Sequence, residues 1–112
     1  MIDAMESLFG LRGTRKVAAL ACDVAQRSCP SVWDRVNPRV LEMTSAEARG
    51  YIRVWATQTV TPWITAEALR SRGIRAAART DIISQAAEGV VEKLLDEVLR
   101  IQRAARVRRR AA

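Results

Sequence analysis

Histidine is absent from all 112 residues. Its absence removes the commonest general base and the commonest metal ligand together. Cysteine occurs only at Cys22 and Cys29, which are seven residues apart. On one helix they lie about 10 Å apart, too far for a disulfide, and without histidine or further cysteine they form no zinc site. Both are expected as small buried residues. Aromatics number only five, and no run approaches the ~20 apolar residues that a membrane-spanning helix requires. Met1–Glu6 has neither a basic stretch nor an apolar run of the kind a secretory leader needs. The expected class is a soluble, cytoplasmic protein that is not an enzyme and carries no cofactor or metal.

Acids are missing from one place in particular. Residues 1–99 hold 13 basic and 12 acidic groups, whereas residues 100–112 hold six arginines and no acid, so almost all of the net +7 lies at one end. Arginine outnumbers lysine 17 to 2, a bias that GC-rich coding also produces. The apolar share is 49%, but 19 of those residues are alanine, so large core side chains are few and a second chain is a natural source of burial.

The sequence from Thr80 to Arg110 organises the rest. Ile83, Ala87, Val90, Leu94, Val98, Ile101 and Ala105 recur at steps of three or four, and Ile82, Ala86, Val91, Leu95 and Leu99 widen that stripe. Leu94 and Leu95, at its middle, are expected in the core. Asp81, Gln85, Glu88, Glu92, Asp96, Arg100 and Arg103 form the opposite face, with acids first and arginines last, the order the helix dipole favours. As one helix, residues 81–109 span roughly 43 Å, against about 34 Å for a compact domain of this size. The helix therefore overhangs its domain or packs along a second chain. Three alanines in 74–79 leave its start open between Arg75 and Asp81.

Upstream, Asp3–Glu6 has the form of a capping box, Gly10 and Gly13 punctuate, and Thr14 is placed to cap a helix that Pro30 stops. Asp23 and Arg27 are spaced to pair within it. Ser31 with Asp34 reads as a cap over a short turn carrying Trp33, and Arg39–Met43 as another turn after Asn37–Pro38. Thr44–Glu47 is a second capping box, opening a helix to about Thr59 that contains Gly50. Thr61–Pro62 predicts a break, then a short helix to Arg72, with Gly73 and Ile74 set for a terminal cap and a contact to Leu69. No strand alternation and no repeat appear. The expected architecture is all-α: a small helical bundle of about four substantial helices over residues 1–102, with a basic tail, residues 103–112, continuing the last and longest helix.

Three groups of residues invite a functional reading. Glu88, Glu92 and Asp96 share a face, but carboxylate-bundle metal sites add histidine, so salt links to Arg100 are the plainer use. Arg70, Arg72, Arg75 and Arg79 lie near Trp63, a composition that grips nucleic-acid backbones; the same arginines also serve a helix C-terminus and neighbouring acids. Glu67–Gly73 and the helix after it have the outline of a helix-turn-helix, yet acidic Asp81 and Glu88 repel phosphate. Arg100, Arg103, Arg106, Arg108, Arg109 and Arg110 form a polybasic end suited to phosphate backbones or acidic proteins, or to keeping the chain soluble. Val98, Ile101, Ala105 and Val107 are the apolar positions along which a second copy would pair. Two readings result: a non-enzymatic helical module that self-associates, most simply as a dimer, or holds a partner protein; and a nucleic-acid-associated protein that uses its arginine tail.

Overall fold

The computed structural model describes the backbone of residues 2–70 and 76–111, and the side chains of 17–67, 70 and 78–111. Among these, three α-helices and one short 3-10 turn account for the fold: α1 (Ile2–Val36), the turn Arg39–Glu42, α2 (Ser45–Arg70) and α3 (Ala76–Ala111). The all-helical class is as expected. The number of helices is smaller, because two proline breaks and one glycine break do not occur.

Helix α1 runs through Gly10, Gly13 and Pro30. Glycine lowers helical preference by about 1 kcal/mol but removes no hydrogen bond, so it does not end a helix by itself. Pro30 deprives the Gln26 carbonyl of its partner, and both residues lie on the exposed side where water can reach. On the inner side Ala21, Val24, Ala25, Ser28, Cys29, Val32 and Val36 are all buried, a stripe that passes the proline without interruption. Ser31 and Asp34 are therefore exposed positions inside α1 rather than a cap. Trp33 packs half-buried against the core.

The Thr44 capping box forms as expected. Glu47 N–H donates to Thr44 Oγ1 at 3.2 Å, and Thr44 N–H donates to Glu47 Oε1 at 3.3 Å. Helix α2 then continues past Thr59 and through Pro62 to Arg70. Thr57, Thr59 and Thr61 each donate to the carbonyl four residues back, at 2.8, 2.8 and 2.6 Å. Thr61 thus serves the preceding turn instead of capping a new one. Gln58, which loses its backbone partner to Pro62, is exposed, and the buried positions Ile52, Ala56, Val60 and Ile64 step straight across. The helix before the final connection is consequently 26 residues long, not the short element a helix-turn-helix outline needs.

Helix α3 begins at Ala76, so Thr80–Asp81 lies inside it. Its stripe is as the periodicity predicts: Ile82, Ala86, Ala87, Val90, Val91, Leu94, Leu95 and Val98 are buried, with Ile83, Leu99, Ile101 and Ala105 partly so. Arg72, Gly73 and Ile74 lie outside the described residues, and the side chains of Asp3–Glu6 and Leu69, on which their cap and contact rest, are not described.

The helices pack up-down-up. A Cβ built on Gly89 would sit 3.2 Å from Ala25 Cβ, and Cys29 senses Lys93, so α1 and α3 run parallel with a constant offset. Arg53 Nε donates to Glu88 Oε1 at 2.7 Å, and Gln102 Nε2 donates to the Leu41 carbonyl at 3.1 Å, so α2 runs antiparallel to α3. Arg35 lies 5.2 Å from the Trp55 ring centroid, joining the last turn of α1 to the first half of α2 as a cation–π contact. The molecule measures 66 × 29 × 19 Å with a radius of gyration of 17.6 Å, well above the ~13 Å of a compact domain of this length. The overhang read from the sequence is real.

Candidate interaction surface on the C-terminal helix

Helix α3 changes character along its length. Its 36 residues span about 54 Å, and α2, with 26, spans about 39 Å. The Ala25–Gly89 register puts Val36, the end of α1, level with Arg100; α3 then continues for about three more turns. The Gln102–Leu41 bond fixes the base of this projecting segment to the 3-10 turn, and Gln102, Ala104 and Ala105 are still half-covered there. Beyond Ala105 every described side chain is exposed.

The arginines separate into two kinds. Arg27, Arg53, Arg70 and Arg100 are engaged with acids of their own chain: Asp23 at 3.3 Å, Glu88, Glu67 at 3.8 Å and Glu97 respectively. The Arg100 partner is thus Glu97, three residues back, and not Asp96 or another member of the Glu88, Glu92 and Asp96 row expected to link to it. The Arg100 guanidinium holds the Glu97 carboxyl below its usual range, and the guanidinium is held upward in turn. By contrast Arg103, Arg106, Arg108, Arg109 and Arg110 are exposed and have no acid within ion-pair distance among the described residues. Their position in the last turns suits the helix dipole, whose C-terminal end is negative.

The second arginine group does not join the first. Arg70 ends α2 and Arg79 lies near the start of α3, whereas Arg106 is 27 residues further on, about 40 Å away along the helix. Arg79 is half-buried, and its Nε has no hydrogen-bond partner among the described residues. Arg75, like Arg72, lies outside the described residues. Among the described residues no continuous basic surface therefore connects Arg70 and Arg79 with the tail.

The apolar positions assigned to self-pairing are also divided. Val98 is 2% exposed within its own bundle, Ile101 and Ala105 are half-covered, and Val107 is 66% exposed. The chain itself covers most of the stripe that a second copy was expected to cover. Of the carboxylate row, Glu88 is held by Arg53, and no group of three metal-ligating side chains forms among the described residues.

The outward face keeps the order read from the sequence, acids first and arginines last, and the fold places the acids beside the core and the arginines beyond it. At about 100° per residue, Asp81, Glu88, Glu92 and Asp96 lie within roughly 40° of one line along α3. Arg103, Arg106 and Arg110 continue on the same line. One straight face is thus acidic over its first half and basic over its second, and Leu99, half-buried, lies on it where the sign changes.

Grooves elsewhere offer little chemistry. The one between α1 and α3, about 330 Å³, is lined by Ala21, Cys22, Ala25, Cys29, Gly89 and Lys93. Cys22 is exposed, against expectation, because its position turns past the contact with α3, while Cys29 is buried. Burial pushes the Cys29 thiol up, and the Lys93 ammonium offsets part of that rise. Both thiols are free. The chain matches no protein family model, no curated protein and no solved structure.

Proposed function

We propose that the protein is a non-enzymatic helical interaction module, in which the three-helix core is a scaffold and the outward face and projecting end of α3 are the contact element. The observation that carries this reading is the continuation of α3, as regular helix, for about three turns past the end of α1 with its arginines exposed and unengaged by acids among the described residues. A chain end that served solubility alone has no need of helical order or of a hydrogen bond fixing its base. The lack of histidine and the absence of a metal-ligating group among the described residues favour binding over catalysis.

A second reading is favoured by the arginines themselves: five of them without an acid can neutralise phosphates, so the arm also fits a nucleic-acid backbone. The experiment that tests the module reading compares the full chain with one lacking residues 103–112. Self-association is followed by sedimentation velocity, and binding to generic duplex DNA and single-stranded RNA by titration across salt. The deletion takes five arginines and no acid, so net charge falls from +7 to +2. Either self-association or saturable nucleic-acid binding should be present in the full chain and lost in the truncated one. If nucleic acid is the ligand, each lost phosphate contact should remove about 0.9 from the log–log salt slope. A full chain that is monomeric and binds neither polymer overturns the module reading.

A further inference from the structure

We propose that the outward face of α3 is the docking surface for a second copy of this chain, the two α3 helices lying antiparallel about a two-fold axis level with Glu97. This names the partner of the contact element described above and rests on that reading.

Glu92 and Arg103 are 11 residues apart on the same exposed line, about 16 Å along the helix, so they cannot neutralise each other within one chain. Turning a second α3 end for end about the level of Glu97 brings Arg103 of one copy beside Glu92 of the other. The same operation brings Arg106 beside Glu88, which Arg53 of its own chain already holds, and Arg110 beside the uncharged Gln85, so the Arg103–Glu92 pair carries the contact. The two-fold axis repeats each pairing, since an isologous contact places residue i on j and j on i. Asp96 then faces the neighbourhood of Leu99 and Arg100 close to the axis, and the half-buried Leu99 supplies apolar cover at the centre. A parallel arrangement sets acid against acid and arginine against arginine along the whole face.

Charge also argues for this occupant over a nucleic acid. A polyphosphate that continues along this line from Arg103 towards the core meets the carboxylates of Asp96 and Glu92, whereas a second copy sets Arg103 against Glu92 and Arg106 against Glu88. The paired groups are exposed, so the contact is modest in strength and sensitive to salt.

The test is a charge swap read by sedimentation velocity at low ionic strength, with Arg103→Glu, Glu92→Arg, their equimolar mixture and the double variant. Both positions are exposed and neither is engaged in an ion pair among the described residues, so thermal melts should coincide with the parent. Each single variant should dimerise about tenfold more weakly, because the two-fold axis converts two attractive pairs into two repulsive ones. The mixture and the double variant should recover the parent affinity, as each restores opposite charges across the axis. A parent chain that stays monomeric, a dimer indifferent to either reversal, or a mixture no tighter than its components overturns the proposal. A monomeric parent that still binds DNA or RNA through residues 103–112 overturns this inference alone and leaves the module reading standing.

Discussion

Two glycines in helix interiors carry opposite consequences. A Cβ added at Gly50 meets nothing within 4 Å, so Gly50→Ala should recover the helical preference glycine forfeits and raise stability by about 1 kcal/mol. At Gly89 the added carbon would stand 3.2 Å from Ala25 Cβ, an atom fixed to the α1 backbone. Gly89→Ala should therefore gain less than Gly50→Ala, and Gly89→Leu should lose stability as α1 and α3 are forced apart; equal gains from both alanines in urea melts would show that the close approach is misplaced. In the sequence the two glycines look alike inside helical patterns; only the facing small residue, Ala25, 64 positions before Gly89, separates them. The cysteines differ in the same way. Cys22 should react with a soluble thiol reagent at neutral pH while Cys29, buried and with its thiol pushed upward, stays protected until denaturant is added. Two equally fast thiols in the native protein would contradict that placement.

At the level of elements, the two proline-containing helices decide how the chain should be read. If Pro62 occupied the first turn of a separate helix, Pro62→Ala would change stability little, since no hydrogen bond is missing there. Inside a continuous α2 the substitution restores a donor to the Gln58 carbonyl. It should therefore stabilise by about 1–3 kcal/mol, the interior cost of proline less the entropy it removes from the unfolded chain. Denaturant melts of Pro62→Ala and Pro30→Ala test this directly, and a neutral result at Pro62 would restore the broken helix. Continuity is legible in the sequence: Ala56, Val60 and Ile64 keep four-residue steps across Pro62, and Ala25, Cys29, Val32 and Val36 keep steps of three or four across Pro30. Local helix-stop rules outweighed that pattern in the sequence reading, whereas in the fold the burial of a continuous stripe outweighs one lost hydrogen bond per proline. Where no such conflict arose the reading was accurate, as with the Thr44 capping box, the Asp23–Arg27 pair and the core face of α3. Contacts between helices, such as Arg53–Glu88, Arg35–Trp55 and Gln102–Leu41, join residues 35, 20 and 61 positions apart and leave no local trace.

For the whole molecule, the overlong α3 was legible from its period and length, but its consequence was not. The apolar stripe led to a dimer paired through Val98, Ile101, Ala105 and Val107, yet Val98 is already enclosed by its own bundle. What α3 leaves uncovered is a face of separated charge, acidic beside the core and basic beyond it. The account therefore replaces an apolar seam with an electrostatic one, and the two respond oppositely to salt. Apolar association strengthens or holds as salt is added, while pairing of exposed charges fades as the screening length shrinks from about 30 Å at 10 mM to about 3 Å at 1 M. Sedimentation velocity of the unaltered chain at these two ionic strengths is the most direct measurement. The account predicts a concentration-dependent dimer at about 10 mM salt that dissociates to monomer at about 1 M; a dimer that persists or tightens at high salt, or a monomer at both, would contradict it.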